Sequence, residues 1–314
     1  MSQAVSQTIN SVVNDGYPRD LIGYGRTPPQ VAWPHGARVA VQFVINYEEG
    51  GENCILEGDP ASEAFLSDVI NAAPRVGLRH KSVESLYEYG SRAGFWRLHR
   101  LFGEFGVPAT VFAVGRAIEQ NPDAVEAMLE SNWEIASHGY RWIDYQSVTP
   151  DVERAHIRRA IEIHKSMIGC EPAGWYIGRD TAATRSILLE EAKPLYDSDS
   201  YADDLPYWVP GAGKPHLIVP YTLDSNDMRF LTAQGFNSGD QFFTYLKDSF
   251  DVLYAEGEDT PKMLSIGLHC RISGRPGRLL ALKRFIQYVL AQPDVWVCRR
   301  DEIARHWMEN HPCG

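Results

Sequence analysis

Two carboxylates, Glu48 and Glu49, stand side by side in front of Gly50-Gly51, just after a short β-branched run. Adjacent acids in that position suit general-base chemistry. Burial and like charge raise a carboxylate pKa toward working pH, and the glycines let the backbone turn sharply. The pair reads equally well as a solvated acidic turn. Further on, Ser137-His138-Gly139-Tyr140-Arg141-Trp142 presents an imidazole in a mostly polar loop. Gly178-Arg179 presents a guanidinium that could hold an anionic or carbonyl-rich ligand in fork geometry, or make a rim salt bridge. Asp197-Ser198-Asp199 and then His269, with Arg271 two residues on, follow later. Each feature alone has a structural explanation. Their joint arrival after successive apolar runs is harder to ascribe to accident.

Those runs are the elements that must position the residues. Arg38–Ile45, Ala109–Val114, Trp133–Ala136, Ala173–Ile177, Leu195–Asp197, Met263–Leu268 and Val295–Cys298 read as short buried strands. A further strand-like run, His216–Thr222, lies in a long Pro/Gly-rich connection. Helical spacing links Leu98, Leu101, Phe102 and Phe105, and later Phe243, Leu246, Phe250, Leu253 and Tyr254. Asn121-Pro122-Asp123 and Thr149-Pro150-Asp151 are helix starts, each with a capping side chain, a proline in the first turn and an acid at the positive end. Further helices are expected near Thr184–Ala192, over Leu279–Leu290 and from Asp301-Glu302. Strand and helix alternate, so the strands are expected to run parallel with right-handed crossovers. The expected fold is α/β, a deformed (β/α) barrel of about seven parallel strands. Chemistry in such a barrel gathers beyond the C-terminal strand ends, where the candidate residues fall.

Composition narrows the function. The chain has 314 residues, 44% hydrophobic and 23% charged, which suits a globular protein with a large core. With 41 acidic residues against 30 Lys plus Arg, the net charge of −11 disfavours nucleic acid and anionic membrane as partners. No apolar stretch is long enough to span a bilayer. No G-x-G-x-x-G follows the first strand and no Walker A sequence occurs. Cys54, Cys170, Cys270, Cys298 and Cys313 are scattered without a Cys-x-x-Cys pair, so neither a disulfide framework nor a structural zinc site is expected. Met1–Gly16 carries no Lys or Arg and no apolar run, so a loose tail ahead of a single domain (residues 17–314) and a cytoplasmic location are expected.

The order acid pair, Ser-His, Gly-Trp-Tyr, Asp-Ser-Asp, Leu-His resembles the polysaccharide deacetylase (NodB-homology) family, from about Arg38 to Arg299. That resemblance implies a deformed barrel that hydrolyses N-acetyl groups with a divalent metal. The departures change the expectation. Asn46-Tyr47-Glu48-Glu49-Gly50 stands where the family has T-F-D-D-G, and His138 to Trp142 stands where it has H-S/T-x-x-H. Trp142 thus replaces a ligand His, and an indole has no lone pair to give a metal. The expected cofactor is none.

Longer segments are similar to the bacterial metal-independent allantoinases of the same superfamily. They are Tyr17–Gly25, Asn46–Glu52, Ser85–Arg92, Ser137–Tyr145 and Thr222–Phe230. This resemblance implies opening of the hydantoin ring of allantoin to give allantoate, in a homo-oligomer, with a tetramer expected. Glu48 or Glu49 would deprotonate the water, and His138 and His269 would donate to the oxyanion or the leaving nitrogen. Arg179, Asn226 and Asp227 would bind the ureide, and Trp142 would wall the pocket. After Arg179, Asp180-Thr181-Ala182 departs from the expected Gly-containing loop. Leu205-Pro206-Tyr207-Trp208 reads as an interface or a pocket rim. The competing readings are a metal-dependent polysaccharide N-deacetylase and a catalytically silent binding barrel.

Overall fold

In the computed structural model, which describes residues 19–313, the β-branched run forms β1 (Val39–Tyr47), buried at every position. The expected tail Met1–Gly16, and Tyr17 and Pro18 of the first matching segment, lie outside the described residues. The chain divides into two units, Met1–Gln30 and Val31–Gly314. In the first, the described residues form turns in which Asp20 Oδ1 accepts the N–H groups of Ile22 and Gly23.

After β1 come helix α1 (Lys81–Tyr89), a π-turn (Gly90–Gly94) and α2 (Phe95–Phe105). They are followed by β2 (Thr110–Ala113), α3 (Gly115–Gln120), α4 (Pro122–Glu130), β3 (Glu134–Ser137), α5 (Pro150–Met167), β4 (Gly174–Trp175) and α6 (Thr184–Glu191). Next are β5 (Tyr196–Asp197), β6 (Tyr207–Val209), β7 (His216–Ile218) and α7 (Gly239–Glu256). The chain ends with β8 (Lys262–His269), α8 (Cys270–Ser273), α9 (Pro276–Leu290), β9 (Val295–Val297) and α10 (Arg300–Asn310).

The sheet runs β6-β7-β5-β4-β3-β2-β1-β8. β1 pairs with β8 along one edge, while β9 takes the N-terminal part of its other edge and β2 the C-terminal part. All pairings are parallel except β6 with β7. The α/β barrel expected from the sequence is therefore present in its deformed form, but the sheet has nine strands rather than seven. The extra edge strand β6 contains Tyr207 and Trp208, which the sequence placed in an interface or rim. Between β8 and the β7 side the sheet is not closed by a ladder. A single parallel bridge, Asn226 to Gly267, crosses there.

Local signals behave as their chemistry requires. Asn121 Oδ1 accepts the N–H of Ala124, and Thr149 Oγ1 that of Val152, at the starts of α4 and α5. Each such cap contributes about 1 kcal/mol. Leu98, Leu101 and Phe102 form the buried face of α2. Phe102 meets Phe43 of β1 edge-on with ring centroids 5.5 Å apart.

Alternate residues of a strand share a face, and Gln42, Val44 and Asn46 of β1 take successive levels inside the barrel. At the lowest level Gln42 Oε1 accepts from the buried Arg300. Val44 joins Phe112, Ala136, Tyr176 and Tyr221 in an apolar middle layer. Asn46 donates to the Tyr221 hydroxyl and the Leu268 carbonyl, at 2.9 and 3.1 Å. One more step of two residues brings the chain to Glu48. Among the described residues no helix is long and apolar enough to cross a membrane.

Candidate active site

Glu48, His138 and His269 extend from the C-terminal ends of three strands, β1, β3 and β8, and converge. Glu48 Oε1 lies 3.4 Å from His138 Nε2 and 3.4 Å from His269 Nε2. Its other oxygen accepts from Arg271 Nη1 at 2.6 Å. Burial opposes charge on Glu48, but the Arg271 and His269 cations and the hydrogen bond from His269 outweigh it. They hold the carboxyl well below the usual carboxylate range.

The two histidines are held differently. His138 Nδ1 is 3.0 Å from the Tyr176 carbonyl oxygen. A carbonyl only accepts, so Nδ1 carries the proton, and in the neutral ring Nε2 presents a lone pair toward Glu48. His269 Nδ1 lies 2.6 Å from Asp227 Oδ1. Burial disfavours its charge, yet Glu48 and Asp227 together push its pKa up to about 9. His269 is therefore an imidazolium at neutral pH, with a proton directed at the Glu48 side.

Asp227 is placed as the partner of His269. Its Oδ1 takes the ring N–H, and its Oδ2 accepts the backbone N–H groups of His269 and Ser273. Both oxygens of Asp227, expected from the resemblance to bind substrate, thus have partners within the protein. Asn226 is likewise committed: Oδ1 caps the short turn Asp227–Leu231 through Met228 N–H, and Nδ2 donates to the Thr222 carbonyl. Its place is in the seam that stands in for a missing strand, not over the histidines.

Glu49 also turns away from the histidines. Its oxygens accept the backbone N–H groups of Glu48 and Arg271, and its carboxylate packs against Gly90 of the π-turn. A Cβ at Gly90 would lie 2.2 Å from Glu49 Oε1, so this contact requires glycine. Burial, reinforced by Glu48, pushes Glu49 up to about 7. Of the two carboxylates left open by the sequence, Glu48 is the one between the imidazoles.

Trp142 is buried at 5% exposure. Phe65 stacks on it at 6.0 Å, and the Arg179 guanidinium lies over its ring at 4.4 Å. Arg179 Nη1 also donates to Glu63 and to the Trp142 carbonyl, both at 3.3 Å. Arg179 thus secures a roof of Trp142 and Phe65. Asp197 belongs to a separate cluster with Arg185 and His216, at 2.7 and 3.1 Å.

Sequence reasoning did not assign Arg271, Tyr87 or Tyr176 to the site. Arg271 stood two residues past His269, a visible signal that was noted but given no role. The buried i, i+4 pair Val83 and Tyr87 could have marked the inward face of α1. The use of the Tyr176 carbonyl could not be read from side-chain types.

The donor set does not fit the divalent ion the family usually employs. Among the described residues no three His, Cys, Asp or Glu side chains are grouped as a metal would require. The Trp142 indole lacks a lone pair, and the Arg271 guanidinium already sits on Glu48.

Comparison with known proteins agrees with this architecture. A family model described as polysaccharide deacetylase matches residues 75–189. A solved structure from Pseudomonas aeruginosa PAO1, described as a polysaccharide deacetylase, is 59% identical. It covers 95% of this chain and 100% of its own, with a TM-score of 0.93. A solved structure described as PuuE allantoinase is 58% identical, covers 95% of this chain and 99% of its own, and also has a TM-score of 0.93. A Schizosaccharomyces pombe protein named as a polysaccharide deacetylase is 45% identical over 94% of this chain and 98% of its own length. With the NodB-type fold and near-complete alignment at that identity, the chain belongs to the polysaccharide deacetylase family.

Proposed function

We propose that this protein is a cyclic amide hydrolase that opens the hydantoin ring of allantoin to give allantoate, using protein groups to polarise the scissile bond. The observation that carries this reading is the depth at which the three groups converge. Glu48, His138 and His269 are 1%, 2% and 4% exposed, and the Trp142 ring, stacked with Phe65, faces the Arg271 guanidinium that holds Glu48. So buried a centre suits a small flat ureide better than a polymer chain. Similarity to the structure described as PuuE allantoinase supports the same choice.

In this mechanism Glu48 accepts a hydrogen bond from the attacking water, and one proton of that water passes to the Nε2 lone pair of His138. The imidazolium of His269 delivers a proton to the ring nitrogen as the C–N bond breaks, and Asp227 holds it in the required tautomer. Fixed donors stabilise the oxyanion, each contributing about 2.7–4 kcal/mol to the transition state. The homo-oligomer and the cytoplasmic location are part of the same proposal. Exposed Leu56, Ile70, Val76 and Leu78, all within one excursion after β1, are consistent with a self-contact surface.

The test is turnover after exhaustive dialysis against EDTA. Allantoin hydrolysis at an undiminished rate, with no acetate released from chitin oligomers, is expected. Acetate release that depends on added zinc or cobalt, without allantoin turnover, would show a metal-dependent deacetylase instead.

A further inference from the structure

Arg271 lies just past β8 in α8, with its side chain 2% exposed. Three contacts fix the guanidinium plane. Nη1 holds Glu48 Oε2 at 2.6 Å, the group lies over the Tyr87 ring at 4.3 Å, and it faces the Trp142 ring at 5.2 Å. Within the described residues its Nε–H and Nη2–H donate to nothing, and the buried Tyr87 hydroxyl is also without a partner.

Nε and Nη2 share one side of a guanidinium and can grip both oxygens of a carboxylate. The same edge does so at the surface, where Arg158 Nε and Nη2 hold the two oxygens of Glu191 at 2.6 and 2.9 Å. In Arg271 this fork is buried, charged and rigidly oriented but has no acceptor. Buried donors left unmade cost their full desolvation, which an oxygen-bearing ligand would recover.

We propose that the Nε/Nη2 edge of Arg271 seats the carboxylate of a small ureido acid, the product of ring opening, and the oxyanion that precedes it. This rests on the ring-opening reading above. In that reaction the water oxygen bonds to the carbonyl carbon and the C–N bond breaks. One proton of the water ends on the departing ring nitrogen, and the other leaves as the new carboxyl ionises. Negative charge therefore grows on oxygen attached to that carbon, and the fork binds the charged form more strongly than the neutral carbonyl. Arg271 would then make open-chain ureido acids bind better than their cyclic parents.

The test uses the full chain and two simple probes, hydantoate and its neutral cyclic parent hydantoin, with binding measured by calorimetry. Arg271→Lys keeps the charge and removes the fork. It is expected to weaken hydantoate by about tenfold or more, while hydantoin changes less than about threefold. A crystal of the unaltered protein with hydantoate should place carboxylate oxygens about 3 Å from Nε and Nη2. Equal hydantoate affinity in the Lys variant would overturn the proposal, as would equal weakening of both probes, no binding to the unaltered protein, or only an ordered water at the fork. Allantoin turnover by the unaltered protein, measured in parallel, judges the parent reading separately. Failure there, with Arg271-dependent hydantoate binding intact, removes the reaction and leaves the carboxylate seat standing.

Discussion

Arg300 and Arg271 are both buried, one beside Gln42 at the level below Val44 and the other just past the C-terminal end of β8. Arg300 spends its terminal nitrogens on neutral oxygens. Nη1 reaches Gln42 and Ser265, both at 2.8 Å, and Nη2 reaches Ser198, Val219 and Pro220. Arg271 hydrogen-bonds the carboxylate of Glu48, has Glu49 4.0 Å from the same nitrogen, and among the described residues finds no acceptor for its Nε/Nη2 edge. The floor arginine ties four segments of the fold together. The upper one holds unspent hydrogen-bonding capacity beside two histidines. Single nitrogens lack a partner at the floor too, Arg300 Nε and Gln42 Nε2, whereas Arg271 leaves a two-donor edge open; buried polar groups are normally satisfied, and a two-donor edge is what a two-oxygen ligand would complete.

A graded set of substitutions separates the two arginines. Glu48→Gln should have the largest effect, lowering kcat for allantoin on the order of a thousandfold, because it removes the acceptor between the imidazoles. Next comes the matched pair Arg271→Met and Arg300→Met. The first should cost about a hundredfold in kcat. The second should cost about 3–5 kcal/mol of stability in denaturant unfolding, with kcat of the folded fraction little changed. Equal stability losses for the two would erase the distinction between floor and site.

Asp227→Asn should act through His269. The raised pKa of His269 means that its folded-state stabilisation is fully present below about 6.5 and is lost as pH rises through about 9. Activity that needs the imidazolium should fall over the same alkaline range. The Asn variant should move that basic limb down by about one unit or more in a pH–rate profile.

Glu49→Gln should have the smallest effect, leaving kcat within about threefold because this carboxylate faces the π-turn. Its folded pKa is raised to about 7, so its favourable protonated burial is present below about 4.5 and lost as pH climbs through 7. Thermal melts should therefore show the Gln variant matching the parent at acid pH and exceeding it at pH values above 7.

Short-range chemistry is legible in the order of the residues. Apolar runs specified the strands, and Asn121 and Thr149 marked helix starts because a capping oxygen needs only a donor a few residues away. The alternation of strand and helix specified a parallel barrel, and that placed Glu48, His138 and His269 at one end of it. Tertiary structure decided what depends on orientation across long separations. Tyr207 and Trp208 form an antiparallel edge strand because His216–Ile218 lies alongside, which no local pattern requires. Glu48 rather than Glu49 enters the site because strand alternation and the crowding at Gly90 send the two carboxylates in opposite directions. Asp227 serves His269 from 42 residues away, and Arg271 takes its plane from Tyr87 and Trp142 on other elements. A residue's type limits the bonds it can make. The surrounding side chains decide which of those bonds are made and which are left for a ligand.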